Sequence, residues 1–197
     1  NGIDLSLYRE LEPRPAPVPT VVFLGEVCSR KGIFDLLSAF KKVLATLPDA
    51  RLVLAGPGEL EKSQMVARHL GISDAVEFLG PRYGAAKAAV LSEGWCMALP
   101  SYAEVFPLAL LDGYAAGLPV VSTRVGGIPD FVQEGENGLL VEPGDQQGLA
   151  AALTRLLTET PLRCRMAEAN RRVARERYDI DICAQRVREI YQELLRQ

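Results

Sequence analysis

Six short apolar runs lie between residues 20 and 141, separated by longer stretches in which apolar residues recur every three or four positions. The runs at 21–25, 51–55, 76–79, 95–99, 120–123 and 138–141 have strand length. The gaps between them are too long for hairpins and long enough for crossover helices, which parallel pairing requires. The pattern therefore predicts an α/β chain with a doubly wound, parallel, six-stranded Rossmann-like sheet.

The intervening segments read as helices. Ile33, Leu36, Leu37, Phe40, Val43 and Leu47 form one apolar face over 33–47, with the 3.6-residue period of an amphipathic helix. Further helices are expected over 60–70, 85–92, 107–116 and 146–157, with Gly71 and Gly117 as C-caps. After Pro161 the strand pattern ends, and helices over 161–177 and 182–195 finish the chain. The last carries Ile182, Val187, Ile190, Tyr191 and Leu194 on one side, a stripe that would pack on this domain or on a neighbour absent from the chain. Upstream of the sheet, four prolines between Glu12 and Thr20 disfavour helix and central strand. The expected organisation is an interdomain linker over 1–19, a Rossmann-like body over 20–178 and a C-terminal helix over 179–197.

Composition narrows the functions. Among 197 residues, 22 Lys and Arg stand against 25 Asp and Glu for a formal charge of −3, which leaves no electrostatic footprint for nucleic acid. Any anion must be held by a local cluster. The cysteines at 28, 96, 164 and 183 lack metal-type spacing and suit a reducing, cytoplasmic setting. No run approaches a membrane span, and the start at Asn1 is neither a Met nor a signal peptide, so the chain reads as part of a longer protein. Six arginines between 163 and 177, interspersed with Glu168 and Glu176, read as a solvated helix face, with association at the cytoplasmic membrane face as the other reading. His69 reads as a surface residue, Cys28 as a bystander and Trp95 as a core residue whose indole needs an acceptor.

In an open parallel sheet, ligands sit beyond the carboxyl ends of the strands. The first such loop, Gly25 to Gly32, delivers Arg30 and Lys31 to a helix N-terminus, where free amides and the helix dipole favour an anion. Its spacing is not that of the P-loop or dinucleotide fingerprint. The loop after the fourth strand runs from Pro100 to Asp112, with Glu104 before the expected helix mouth, Pro107 at the first helical position and Asp112 further along. Two acids so separated could hold two ends of one polyhydroxylated ligand, or stand as ordinary helix acids. After the fifth strand, Gly126 and Gly127 permit close backbone approach or simply a tight turn.

In order along the chain, these pieces resemble the C-terminal, donor-binding half of GT-B glycosyltransferases of retaining family 4, the glycosyl transferases group 1. The resemblance runs through Asn1-Gly2-Ile3-Asp4, Phe23-Leu24-Gly25 with Lys31-Gly32, Leu54 to Gly58, Val76 to Gly80, Leu99 to Glu104, Gly117 to Val121, Gly126 to Asp130 and Asn137 to Val141. It implies a nucleotide-diphosphate-sugar donor that needs no metal and no other cofactor. By resemblance, Gly25, Arg30, Lys31 and Gly32 would line the diphosphate, and the backbone of Val105, Phe106, Pro107 and Leu108 would face sugar and phosphate oxygens. Glu104 would be the catalytic contact to the transferred sugar, with Gly127 nearby. Asp112 would take the ribose diol, and Gly80, Pro81 and Arg82 the base. The family's retaining chemistry resembles front-face departure, in which the leaving diphosphate helps deprotonate the acceptor. An N-terminal acceptor-binding domain would complete the enzyme, leaving this part inactive alone.

Four features depart from the family pattern. Glu26 replaces the usual Arg after the first glycine, Asp112 is one methylene shorter than the usual Glu, Val105 and Pro107 replace glycines, and the acceptor domain is missing. The first two keep a catalytically degenerate binding module in view. A GT-B sugar-nucleotide epimerase or phosphorylase relative is a further alternative, disfavoured by the Pro100-Ser101-x-x-Glu104 pattern.

Overall fold

The computed structural model describes residues 2–9 and 14–196. Asn1, part of the expected proline-rich linker and Gln197 lie outside the described residues. The described elements are α1 (Ser6–Arg9), β1 (Thr20–Leu24), α2 (Ile33–Thr46), β2 (Arg51–Ala55), α3 (Leu60–Leu70), β3 (Val76–Gly80), α4 (Gly84–Glu93), β4 (Cys96–Leu99), α5 (Leu108–Ala116), β5 (Val120–Thr123), α6 (Ile128–Phe131), β6 (Gly138–Val141), α7 (Gln146–Thr158), α8 (Thr160–Val173) and α9 (Ile180–Leu194). The six strands form one parallel sheet in the order β3-β2-β1-β4-β5-β6. This is the predicted doubly wound sheet.

Burial explains the strand sequences. β1, β4 and β5 are buried along their whole length, so β1 and β4 read as near-continuous apolar runs rather than alternating ones, while the buried Ser122 and Thr123 of β5 donate to the Leu99 and Ser101 carbonyls. α2 turns Ile33, Leu36, Leu37, Phe40 and Val43 into the sheet, the face its periodicity predicts. Asp145 caps α7, its carboxylate accepting from the amides of Gln147 at 3.1 Å and Gly148 at 2.8 Å. Gly71 and Gly117 close α3 and α5 as expected.

Several boundaries differ from the sequence reading. Pro107 is the residue before α5 rather than its first helical position. Trp95 precedes β4 instead of belonging to it; its Nε1–H donates to the Ala16 carbonyl at 2.9 Å and the Arg163 guanidinium lies 4.3 Å from its ring centre. A π-turn, Ala174–Tyr178, interrupts the expected helix over 161–177. The four-residue helices α1 and α6 are too short to leave a periodic signal.

The segment upstream of β1 is bonded to the body. Leu5 and Tyr8 are buried, and the amides of Ile3 and Ile180 donate to the carbonyls of Tyr178 (2.7 Å) and Ile3 (3.0 Å). The Ala16 amide donates to Glu93 and the Arg51 amide to Pro19. At the other end, α9 buries no residue, and Val187, Ile190, Tyr191 and Leu194 are 51–64% exposed. The described residues therefore do not cover its apolar stripe.

Candidate functional site

The sheet order places β1 beside β4, with Val21 opposite Cys96 and Val22 opposite Met97. The chain leaves β1 toward β2 and leaves β4 toward β5, so the loops following these neighbours part in opposite directions. Such a switch point opens a crevice at the carboxyl edge of the sheet. The loops singled out from the sequence after strands one and four border it.

The loop after β1 ends in a 3₁₀ turn, Ser29–Lys31, and Gly32 then opens α2 with φ of 71°. A Cβ on Gly32 would lie 2.0 Å from the Pro100 carbonyl oxygen, so only glycine lets the two loops touch here. The Tyr102 amide donates to the Arg30 carbonyl at 2.9 Å across the same seam. Arg30 and Glu26 form an exposed ion pair at 3.1 Å. The carboxylate that departs from the family pattern thus sits on the cation expected to offset it.

Across the crevice, the Lys31 ammonium is ion-paired with Glu104 Oε1, their side chains only 15% and 8% exposed. Lys31 is therefore held within the crevice rather than extended into solvent. Ser101 Oγ donates to the same Glu104 oxygen at 3.3 Å. The backbone of Glu104 is held as well: its carbonyl accepts from the Gly127 amide at 3.2 Å, and a Cβ on Gly126 (φ 49°) would come within 1.7 Å of that oxygen. Three loops thus fix one carboxylate and one ammonium together. Tyr102 braces the assembly, its hydroxyl donating to Asp35 at 2.7 Å while Gln146 donates to the other Asp35 oxygen at 2.8 Å. Val105 is 91% exposed at the mouth, and the Leu108 amide is engaged by the Phe106 carbonyl at 3.0 Å.

Asp112 lies apart from this pair, on the face of α5 toward α4 and α1. It is buried, and its Oδ1 accepts from the Tyr8 hydroxyl and pairs with the Lys87 ammonium, both at 2.6 Å. Burial, followed by the adjacent Asp112 charge, pushes the Tyr8 phenol well above its ordinary pKa, so it remains a donor at neutral pH. Gly80 ends β3 with φ of 68°, and Arg82 is part-exposed, donating to its neighbour Pro81 at 3.0 Å. Ser101, Tyr102, Tyr8 and Lys87 escaped the sequence reading as site residues. No local pattern links positions 8 and 87 to 112. Among the described residues, no group of three or more His, Cys, Asp or Glu side chains converges as a metal site, and no helix is long and apolar enough to cross a membrane.

Residues 7–173 match the family of glycosyl transferases group 1. The chain belongs to that family. It is 35% identical over 203 residues to D-inositol 3-phosphate glycosyltransferase of Corynebacterium jeikeium, covering 98% of this chain and 48% of the relative. It is also 35% identical over 167 residues to N-acetyl-alpha-D-glucosaminyl L-malate synthase of Bacillus anthracis, covering 84% and 43%. This glycosyltransferase chain spans about half the length of the curated relatives it matches. Sucrose-phosphate synthase from Thermosynechococcus elongatus superposes with a TM-score of 0.86 at 27% identity, over 98% of this chain and 51% of that one. The α/β fold thus matches GT-B glycosyltransferase structures.

Proposed function

We propose that this chain is the donor-binding domain of a retaining glycosyltransferase that moves a sugar from a nucleoside diphosphate to an acceptor hydroxyl in glycan or glycoconjugate synthesis. The observation that carries the reading is the Lys31–Glu104 pair at the β1/β4 switch point. It sets a cation for the diphosphate against an acid for the sugar, so one donor spanning the crevice meets both. Lys31, Gly25 and Gly32, assisted by Arg30, would face the diphosphate. The backbone of Val105 and Phe106 would face sugar and phosphate oxygens, with the Leu108 and Gly127 amides, held by the Phe106 and Glu104 carbonyls, fixing that loop; Asp112 would face the ribose, and Gly80 to Arg82 the base.

In this reading Glu104 touches the transferred sugar, and the departing diphosphate takes up the acceptor's proton, with Lys31 offsetting charge that builds on the leaving group. Cationic and amide donors neutralise the donor without a bound metal. The acceptor site belongs to an N-terminal domain, and the open stripe of α9 packs on that domain. The setting is the cytoplasm, with the arginines of α8 available to an anionic membrane face.

The Glu26–Arg30 pair favours one second reading, a module that binds nucleotide sugars without transferring them, because it cancels a cation in the phosphate loop. A thermal-shift panel of UDP, GDP, ADP and TDP with their sugar conjugates, run with and without EDTA, tests the proposal. Stabilisation by one nucleotide series that survives chelation is expected. Indifference to every nucleotide would overturn it. Full-length protein that binds a donor yet never transfers from it would favour the second reading.

A further inference from the structure

We propose that Tyr8 and Lys87 are positioning residues for the donor ribose, holding Asp112 so that one carboxylate oxygen is fixed by the protein and the other is left for the ligand. The inference rests on the ribose reading of Asp112 and extends it to two residues far away in sequence. Tyr8 Oη and Lys87 Nζ both meet Oδ1 at 2.6 Å, whereas Oδ2 takes no hydrogen bond from a described residue. An ionised carboxylate offers about four acceptor sites, and a buried one is costly when half satisfied. Both protein partners converge on Oδ1. The asymmetry leaves one strong acceptor with its orientation set in advance.

The identity of the anchors adds a second argument. Lys87 stands one turn into α4, the helix that follows Gly80, Pro81 and Arg82, so its bond locks the proposed base loop to the proposed ribose acid. Tyr8 comes from α1, in a segment bonded through Ile3 to Tyr178 and Ile180 where α9 begins. The length of the acid matters too. Asp112 is one methylene short of a glutamate, and two donors on one oxygen compensate by removing its rotational freedom, which lowers the entropic cost of binding.

The test measures affinities of this chain for UDP, GDP and ADP, each against its 2′-deoxy counterpart, in the wild type and in Asp112→Asn, Tyr8→Phe, Lys87→Met and Lys87→Arg. The ratio of ribo to deoxy affinity reports the diol contact and is insensitive to general loss of stability. A wild-type preference of about tenfold or more for ribose is expected, falling near unity in Asp112→Asn. Tyr8→Phe, which keeps the ring and its packing, and Lys87→Met should each lower the ratio severalfold, with Lys87→Arg restoring most of it. If Asp112→Asn loses the preference while Tyr8→Phe and Lys87→Met retain it, the positioning role is wrong and the ribose reading stands. If Asp112→Asn keeps the preference, the ribose reading itself fails. A wild type that binds none of the three nucleotides overturns both.

Discussion

Lys31 and Glu104, separated by 73 residues in sequence, neutralise each other across the crevice between the loops after β1 and β4. Each is the other's counter-ion until a ligand enters. Lys31→Ala removes the cation and strands a nearly buried carboxylate, so two losses are expected. Affinity for nucleoside diphosphates should fall by about 1.5–3 kcal/mol, the usual value of a charge-assisted hydrogen bond. The melting temperature should also drop, because breaking one side of a largely buried pair leaves an uncompensated charge. Calorimetric titration and thermal unfolding read the two effects separately. An unchanged affinity would remove Lys31 from the phosphate site.

Glu104 gives the opposite sign for one ligand. In Glu104→Gln the ammonium of Lys31 loses its competitor, so UDP, or whichever diphosphate binds, should bind as well as before or severalfold more tightly. The sugar conjugate should lose the advantage it normally gains from the acid. Asp112→Asn should instead weaken nucleotide and conjugate alike, since both carry the ribose. Equal losses of UDP in the two variants would abolish this division of labour, and in the full-length enzyme Glu104→Gln should depress turnover more than nucleotide affinity.

Gly126 tests whether the acid must be held by its backbone. Its φ of 49° and the 1.7 Å approach of a hypothetical Cβ to the Glu104 carbonyl oxygen exclude any side chain without movement. Gly126→Ala is expected to cost about 1–3 kcal/mol from backbone strain alone and to displace Glu104 from Lys31. The predicted signature is weaker discrimination between sugar conjugate and free diphosphate, together with a lower melting temperature. A variant that melts lower yet keeps the wild-type discrimination would show that this contact is structural only.

How much of this was legible in the chain divides along physical lines. The sheet was readable because residues 21–24 and Cys96–Leu99 are buried along their whole length and appear as unbroken apolar runs, and Val120 and Val121 open β5 in the same way. The loops at the crevice were readable because Gly32, Lys31 and Glu104 flank strand ends. Their mutual contact was not, because parallel crossovers bring together residues with no periodic relation. Tyr8 and Lys87 left even less trace: each is an ordinary residue on a helix, and only packing of α1 and α4 against α5 gives it a role. Pro107 was misplaced by one position, a distance at which cap geometry rather than composition decides.

Buried neutral acids predict an alkaline weakness. Burial pushes the Cys96 thiol up to about 12, and burial likewise raises Tyr114, as it does Tyr8 with the help of the Asp112 charge. Below the ordinary thiol pKa both folded and unfolded chains hold the Cys96 proton and stability is at its full value. From about 8.5 upward the unfolded state releases that proton while the folded state keeps it, so stability falls by about 1.4 kcal/mol per pH unit until pH approaches 12. The two tyrosines add the same sign above about pH 10. Denaturant unfolding at pH 8 and pH 10 should show the fall, and Cys96→Ala should flatten it over that interval. An identical slope in the variant would assign the loss elsewhere.

The proposed function finally makes this chain one wall of a cleft, and its exposed residues fit that role. Val105 at 91%, Tyr83 at 76% and Leu108 at 54% present apolar surface around the mouth of α5 and the loop after β3. A donor bound to this wall alone remains open to solvent on its far side, where no group positions an acceptor or excludes water. Transfer gains most of its rate from fixing two reactants in one geometry, and water exclusion strengthens each charge contact around the leaving diphosphate. The 197-residue chain should therefore bind a sugar nucleotide while neither transferring nor appreciably hydrolysing it. Release of free nucleoside diphosphate, followed over hours against a heat-treated control, measures this. Steady turnover by the chain alone, abolished in Glu104→Gln, would show that one wall suffices and would overturn the two-domain account.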